Sequence, residues 1–415
     1  MNVAYFLSEF PALNETFVIN ELYYLQLRGI GGTIYYEQPG VTRPVQPRVR
    51  ELRFAKFHIK YLGKLLAHPL LLCRSQWELL SRSPVGYVKA VRAFFSIPSV
   101  SNLRYFIHAT LLVKSLKRDN VSILFIHDAE GISIIGLFCG LLSGLPTGII
   151  FHTHGLFADR RYLREKIDLT DFSVFQSHYS KEFAANYIDA APLKLKKMYI
   201  VSSTGVDTSF FRPKRKSSEY KTTRTLRIIS IARIEEMKGF DRLIYAIYTL
   251  KKKGIRVNCQ IIGYGSKAHE LARLIRSLHL EKIVTLLGPI AHTPRLIRLL
   301  DNADVFVLPS VVDAQGDRDM QPNVVKEAMA MKLIVITPDF GGIREVIQDG
   351  KNGLLLKNSD SGSLVQMIER VIGLSPQVSR AIRDLARKTI IEKYEAVAIS
   401  NQLTETFQKY AKKNY

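Results

Sequence analysis

A chain of 415 residues, 47% hydrophobic and 23% charged, is long and apolar enough for two separately cored domains, which excludes a disordered or fibrous protein. Its net charge of +22 allows an anionic partner, nucleic acid or membrane, while Cys73, Cys139 and Cys259 are scattered, form no metal or CxxC spacing and fit a reducing cytosol. The opening residues NVAYFLSEF lack a basic n-region and reach Glu9 too early for a signal peptide, so they read as a first strand.

After VAYFLS comes a loop, EFPALN, then a helix capped by Asn14, with Phe17, Val18, Leu22 and Leu25 on one face and Gly29 at its end. Residues 43–118 hold 15 Lys and Arg against two acids, Glu51 and Glu78, and interleave them with Phe54, Phe57, Tyr61, Trp77, Tyr87, Phe94 and Phe95. A merely solvated face has no use for those aromatics, so the segment reads as a basic aromatic insertion that docks on an anionic membrane surface, with an ordinary helical insertion as the alternative. No nucleic-acid partner is expected, because no zinc spacing, RNP-like strand or basic region with heptads accompanies the charge.

VSILFIHDAE reads as a strand ending at His127, and TGIIFHTHGLF as another ending at His152 and His154. Polar residues at the carboxyl ends of parallel strands face the ligand crevice. Ile132 to Phe151 is twenty residues without a charge, the length of a membrane span, but Gly144, Pro146 and Gly148 interrupt it. A buried helix to Ser143 and a strand TGIIF are expected there, and no transmembrane segment. MYIVSSTGVDTSFFRPK supplies the last strand and the exit of the first domain, and a polar, basic linker ends at Arg224.

The second domain opens with LRIISIARIEEMKGFDRLIYAI, in which Arg233 and Lys238 leave a strand end five residues apart, just before a helix. Two cations there can meet an anionic group, and a solvated pair on a loop is the plain alternative. Gly263 and Gly265 mark a tight strand-to-helix turn, and VTLLGPI a strand end near Gly288. The run ADVFVLPS then gives a buried strand, followed by a loop bearing Asp313, Asp317 and Asp319. A helix opens near Pro322, with Val324, Val325, Ala328 and Met331 at helical spacing.

On one continuous helix Asp319 and Glu327 would lie about 12 Å apart, too far to grip one small group. With Asp319 on the loop and Glu327 in the second turn, both can line one pocket into which the N–H groups near Asn323 and Val324 point, an anion site ready for phosphate. The pattern reads as a nucleotide-sugar cradle: Glu327 on ribose, the helix end on diphosphate, Asp319 on the sugar. Acids that merely favour a helix start are the plain alternative.

The acid-x7-acid element Asp319 to Glu327, followed by EAMA, the Gly-Gly-x-x-Glu segment at Gly341 and the Asp-Gly-x-Asn-Gly turn at Asp349, resembles the family 4 retaining glycosyltransferases. The opening SEFPALNETFVINEL and the GDRD-x-x-P segment are most similar to the bacterial exopolysaccharide, capsule and colanic-acid branch. The resemblance implies an α/β, GT-B fold: two Rossmann-like domains facing a cleft, with a C-terminal helix crossing back to the first. On that reading residues 1–207 form the acceptor-side domain with 43–118 inserted, 208–224 the linker, 225–388 the nucleotide-sugar domain and 389–415 the returning helix.

The resemblance also implies roles. Arg233 and Lys238 would hold the donor diphosphate, His154 would approach the donor sugar, with His152 as the competing register, and backbone near Gly288 would pass the nucleobase. Glu15, Thr16 and His127 would serve the acceptor side. Three departures stand out: Asp319 where the family usually has Glu, which bears on the sugar contact, and Met320 where it usually has Gly and a missing Gly around Lys332, which imply a reshaped pocket.

The expected activity is a retaining, metal-independent transfer of sugar from a UDP- or GDP-sugar, without cofactor, to a lipid-linked glycan of a surface polysaccharide, by a cytoplasmic protein peripheral on the inner face of the cell membrane. A transferase acting on a soluble acceptor, or a non-catalytic nucleotide-sugar-binding protein, are the alternatives.

Overall fold

The computed structural model describes residues 1–12, 16–40, 46–60, 69–97, 99, 101–128, 131–202, 205–215, 225–314 and 316–411. The chain forms two compact units, one of Met1–Arg43, Arg48–Ser203 and Ser400–Tyr415, the other of Pro44–Pro47 and Thr204–Ile399.

Unit 1 runs β1 (Asn2–Phe10), α1 (Thr16–Leu27), β2 (Gly31–Pro39), β3 (Ala55–His58), α2 (Pro69–Arg82), α3 (Pro84–Ser96), α4 (Asn102–Arg118), β4 (Ile123–His127), α5 (Ile132–Ser143) and β5 (Thr147–Ile150). It continues with α6 (Thr153–Phe157), α7 (Leu163–Asp168), β6 (Phe172–Phe175), α8 (His178–Tyr187), α9 (Pro192–Leu195) and β7 (Met198–Ile200). The strands form one parallel sheet in the order β3-β2-β1-β4-β5-β6-β7. A parallel sheet is covered on both faces, and its central strands are correspondingly apolar throughout: β4, β5 and β6 are buried at every position.

The uncharged run resolves as expected into α5 and β5. Gly144, in the left-handed conformation, donates its N–H to the Gly140 carbonyl and closes the helix, and the chain turns at once into β5. Among the described residues no helix is long and apolar enough to cross a membrane.

From Arg48 on, the described parts of the segment 43–118 are built into unit 1. Its β3 extends the sheet beyond β2, and α4 packs on α5 with Tyr105, Phe106, Ala109, Leu112, Val113 and Leu116 buried. Of its aromatics, Phe54 is buried, whereas Trp77 and Phe95 are exposed. The charge and the rings are therefore shared between the sheet edge, the buried layer and the surface, because strand pairing and helix packing sort them by position rather than by sequence neighbourhood.

Unit 2 runs β8 (Leu226–Ile231), α10 (Phe240–Lys252), β9 (Val257–Ile262), α11 (Ala268–Ser277), β10 (Val284–Leu286), α12 (Pro294–Asn302) and β11 (Val305–Val307). Next come α13 (Asn323–Ala330), β12 (Ile334–Pro338), α14 (Ile343–Val346), β13 (Leu354–Leu356), α15 (Ser361–Ile372), α16 (Pro376–Lys393) and the first turn of α17 (Ala396–Ala411). Its parallel sheet has the order β10-β9-β8-β11-β12-β13. Strand alternation divides the core in two: Val305, Val307, Ile334 and Ile336 pack towards α10 and α15, Phe306 and Val335 towards α12 and α13.

The boundaries differ from the sequence reading. Phe211 is buried in the unit 2 core and Val206 pairs with Glu395, so the chain from Thr204 belongs to unit 2 rather than to a first-domain exit or a linker. Residues 216–224 of the expected linker lie outside the described residues. At the other end, unit 2 keeps the chain to Ile399, and the rest of α17 joins unit 1, where Phe407 lies 4.9 Å from Phe125 and Tyr410 4.6 Å from Phe172, ring centre to ring centre.

Candidate functional site

Strand order reverses between β8 and β11 in unit 2, and between β1 and β4 in unit 1. At such a switch point the loops leaving the two strands part, and a crevice opens outside their carboxyl ends.

In unit 2 the chain leaves β8 through Arg233 and a short 3-10 turn, Glu236–Lys238, then enters α10. Gly239 makes that path possible: its φ is +63°, and a Cβ there would lie 2.2 Å from the Pro309 carbonyl oxygen on the loop after β11. The Val311 N–H donates to the Met237 carbonyl at 2.8 Å, so the two loops are stitched across the switch point. The close approach brings Lys238 to Asp319. Lys238 Nζ donates to Asp319 Oδ1 at 2.5 Å, and Ser310 Oγ donates to the other carboxylate oxygen. All three residues are buried, while Arg233 is exposed.

Gly263 and Gly265 form the turn after β9, with φ of +154° and +158°. A Cβ on Gly263 would sit 1.8 Å from the Ala232 carbonyl oxygen. Its N–H donates to the Gly288 carbonyl at 3.1 Å, so the three glycines singled out in the sequence share one rim.

Helix α13 opens at Asn323 behind Pro322, with no side chain capping it. The carboxyl of Glu327, in the second turn, is buried and 3.5 Å from His292 Nε2. Burial pushes that carboxyl up to about 8, against the pull of the neighbouring Lys326, while burial pushes Lys326 down to about 7. His292 is placed by its own N–H, which donates to Gln46 Oε1 at 2.9 Å, and by Phe210 and Phe211 beside its ring.

The departures from the family pattern have local accounts. Met320 is fully buried, so the side chain that stands for the usual glycine goes into the fold. Lys332 keeps the left-handed φ of +59° that a glycine would take after α13, and the Leu333 N–H closes the helix end on the Ala328 carbonyl. Lys332 Nζ reaches Asp384 at 2.6 Å.

In unit 1, Thr16 starts α1 beside the switch point, and Glu15 lies outside the described residues. His127 is buried at the end of β4, in a chain of hydrogen bonds: its Nε2 faces Glu21 Oε1 at 3.3 Å, its Nδ1 faces His152 Nε2 at 3.1 Å, and His152 Nδ1 faces Gln176 Nε2 at 2.8 Å. One tautomer set satisfies every pair, with the Gln176 amide donating to His152, His152 to His127 and His127 to the Glu21 carboxylate. Burial, and then His127, hold His152 well below the ordinary histidine range. His154 is exposed on α6, and the adjacent Gly155 is packed so that a Cβ would meet Asp128 Oδ2 at 2.2 Å. The strand-end histidines are thus brought together at His127 and His152, with His154 apart from that chain. Asp128 itself pairs with Lys166 at 2.8 Å.

Sequence reasoning missed Ser310, His292, Gln46, Glu21 and Gln176. His292 and Gln176 each closely follow a strand, the same strand-end signal that drew attention to His127; Gln46 carries no local signal. Among the described residues no group of three or more His, Cys, Asp or Glu side chains is placed to hold a metal ion.

Residues 211–389 match the family described as Glycosyl transferases group 1, and the fold of two units, each built on a parallel Rossmann-like sheet, is the GT-B fold of the solved structures on which the chain superposes. The chain is 28% identical to the putative colanic acid biosynthesis glycosyltransferase WcaL of Escherichia coli strain K12 over 98% of this chain and 100% of that one. It is also 31% identical to the amylovoran biosynthesis glycosyltransferase AmsK of Erwinia amylovora over 51% of each chain. Among solved structures, Anabaena HepE in complex with UDP-glucose superposes with a TM-score of 0.70 at 16% identity, covering 99% of this chain and 100% of that one.

Proposed function

We propose that this chain is a retaining, metal-independent glycosyltransferase that moves a sugar from a UDP- or GDP-sugar to a lipid-linked glycan during surface polysaccharide synthesis, working as a peripheral protein on the inner face of the cell membrane. The observation that carries the donor assignment is the unit 2 switch point, where Lys238 and Ser310 hold Asp319 on the loop that leads into α13, with Glu327 in that helix's second turn. The colanic acid and amylovoran names of the relatives support the polysaccharide class, and the UDP-glucose complex of HepE supports a nucleotide sugar.

Each group has a chemical part. The diphosphate lies against Lys238, exposed Arg233 and the N–H groups of Asn323 and Val324, so fixed positive charge meets the negative charge that grows as the sugar leaves. Glu327 accepts from the ribose hydroxyls, and His292 beside it helps hold that carboxylate. Asp319 serves two groups: it orients Lys238 and offers the sugar a carboxylate edge. Backbone at Gly263, Gly265 and Gly288 passes close to the nucleotide because no Cβ intervenes. From unit 1, His154 is assigned to the donor sugar, and Thr16, Glu15 and His127 to the acceptor, by the family resemblance.

A panel of UDP- and GDP-sugars, read first by thermal shift and then by transfer to a lipid-linked glycan, tests this. One nucleotide sugar should raise the melting temperature, because a ligand at 100 times its Kd stabilises the fold by about 2.7 kcal/mol. Transfer should follow with that donor alone. Binding without transfer to any acceptor would make the chain a nucleotide-sugar-binding protein instead; transfer only to water-soluble acceptors would remove the lipid-linked glycan.

A further inference from the structure

Helices α2 and α3 lie side by side, α2 over α4 and α3 over α5. Gln76 Nε2 donates to Thr110 Oγ1 at 2.9 Å, and Tyr87 OH donates to Gln76 Oε1 at 3.1 Å. The roll of α3 is set by its small residues: Gly86, Ala90 and Ala93 face inward, and a Cβ on Gly86 would meet the Leu141 carbonyl oxygen of α5 at 2.4 Å. The opposite stripe, Val85, Val88, Lys89, Arg92 and Phe95, therefore points out. On α2 the buried Leu79 fixes the inner side and leaves Leu70, Arg74, Trp77 and Leu80 outside.

That outer surface carries several large apolar side chains. Trp77, the only tryptophan in the chain, is 71% exposed, Phe95 76%, Leu70 86% and Val85 68%. Aromatic side chains of this size are ordinarily well buried, and clustered apolar exposure marks a surface that meets something other than water. The cations between them have little acidic company: from Pro69 to Arg104 there are five Arg and Lys and one acid, Glu78, which Arg82 already holds at 2.9 Å.

We propose that the outward face of α2 and α3 docks unit 1 on an anionic lipid bilayer. Trp77 and Phe95 enter the boundary between headgroups and acyl chains, and Arg74, Lys89 and Arg92 lie against lipid phosphates. The proposal gives the membrane-bound reading of the enzyme its physical surface and rests on that reading. Charge selects the occupant. A second copy of the same face would set like cations against each other, and a nucleic acid would leave Val85, Val88 and Leu70 without a partner, whereas an anionic bilayer satisfies both kinds of side chain. Two basic residues nearer the start of the segment serve elsewhere: Arg48 Nη1 donates to Asn20 Oδ1 at 2.7 Å and stacks on Tyr23, and Lys56 lies over Phe10.

Because Trp77 is the only tryptophan, its emission reports on this face alone. The full chain is mixed with vesicles of phosphatidylcholine, with and without phosphatidylglycerol, and followed by co-sedimentation and tryptophan fluorescence. With phosphatidylglycerol the emission should shift to the blue and the protein should sediment, both less so at high salt. Phe95→Ala together with Leu70→Ala should weaken binding roughly tenfold or more, and so should Arg74→Gln with Lys89→Gln and Arg92→Gln. Transfer to a short soluble acceptor should be unchanged in these surface variants, which separates docking from catalysis: vesicle binding by a protein that transfers no sugar would leave the docking face standing and overturn the activity alone. Sedimentation without a change in Trp77 emission, or binding indifferent to phosphatidylglycerol, would overturn the proposal. So would a blue shift that grows with protein concentration in the absence of lipid, which would mark a second copy as the occupant, or one produced by RNA.

Discussion

Lys238 and Asp319, 81 residues apart, form a buried ion pair at 2.5 Å across the switch point of unit 2, and Ser310 takes the carboxylate oxygen that Lys238 leaves. The sequence assigned Lys238 to the diphosphate and Asp319 to the sugar as separate contacts; the structure makes them one unit. A cation held by a carboxylate and a hydroxyl is positioned before any phosphate arrives, which lowers the cost of ordering it during reaction.

Removing either partner should therefore cost stability as well as activity. Lys238→Ala leaves Asp319 buried beside Ser310 without its cation, a change that typically costs about 3–5 kcal/mol, and it should slow transfer by roughly 10² or more. Arg233→Ala should slow transfer on a similar scale and leave unfolding by urea almost unchanged, because Arg233 is exposed. Equal stability losses in the two variants would contradict the pairing.

Asp319→Asn keeps a partner for Ser310 and removes the charge. Turnover should fall at least about tenfold, and a double-mutant cycle with Lys238→Met should show coupling of roughly 1 kcal/mol or more in unfolding free energy. Binding of free nucleoside diphosphate should survive in Asp319→Asn, since the ribose and most of the diphosphate contacts proposed above lie on other residues. Additive losses would show that the two side chains act independently.

The buried carboxyl of Glu327 predicts a pH dependence. With its folded pKa near 8, above the ordinary carboxylate value, the folded chain holds one more proton than the unfolded chain between about pH 4.5 and 8. Its contribution to stability is present below that window and lost as pH rises through it. Lys326 works the other way above pH 7, where the unfolded chain binds the extra proton. Relative to wild type, Glu327→Gln should gain stability as pH goes from 5 to 8, read by urea unfolding at each pH. If ribose hydroxyls bind the carboxylate, nucleotide binding should also release a proton near neutral pH, seen in calorimetry as a heat that depends on the buffer. Glu327→Gln should abolish that dependence.

The rim glycines should divide by the space around them. Gly263→Ala would set a Cβ on the Ala232 carbonyl and Gly239→Ala one on that of Pro309, so both should distort the rim and lose nucleotide binding. Gly288→Ala meets no atom within 4 Å and pays only for its φ of +70°, about 1–2 kcal/mol, with binding retained. Thermal unfolding and nucleotide titration of the three variants check the order.

Much of this was legible locally. Strand runs such as Val305–Val307, the tight turn at Gly263 and Gly265, the helix start behind Pro322 and the break at Gly144 are set by backbone preferences and apolar periodicity within a few residues, and a linear reading finds them. Those signals were enough to place Asp319 on a loop and Glu327 on a helix.

Contacts closed by the sheet were not legible in that way. Lys238 meets Ser310 and Asp319 only because β8 and β11 are neighbours and Gly239 lets their loops touch; Gln46 meets the N–H of His292 from 246 residues away. The basic segment shows the same divide. Composition recorded its cations and rings, but the packing of Gly86, Ala90 and Ala93 against the layer beneath turns Val85, Arg92 and Phe95 to the surface, while pairing of β3 with β2 and burial of Phe54 draw the start of the segment into the fold. Residue type and spacing determine what each segment can become; which side chains face one another, and which face out, is settled by strand order and close packing between segments far apart in the chain.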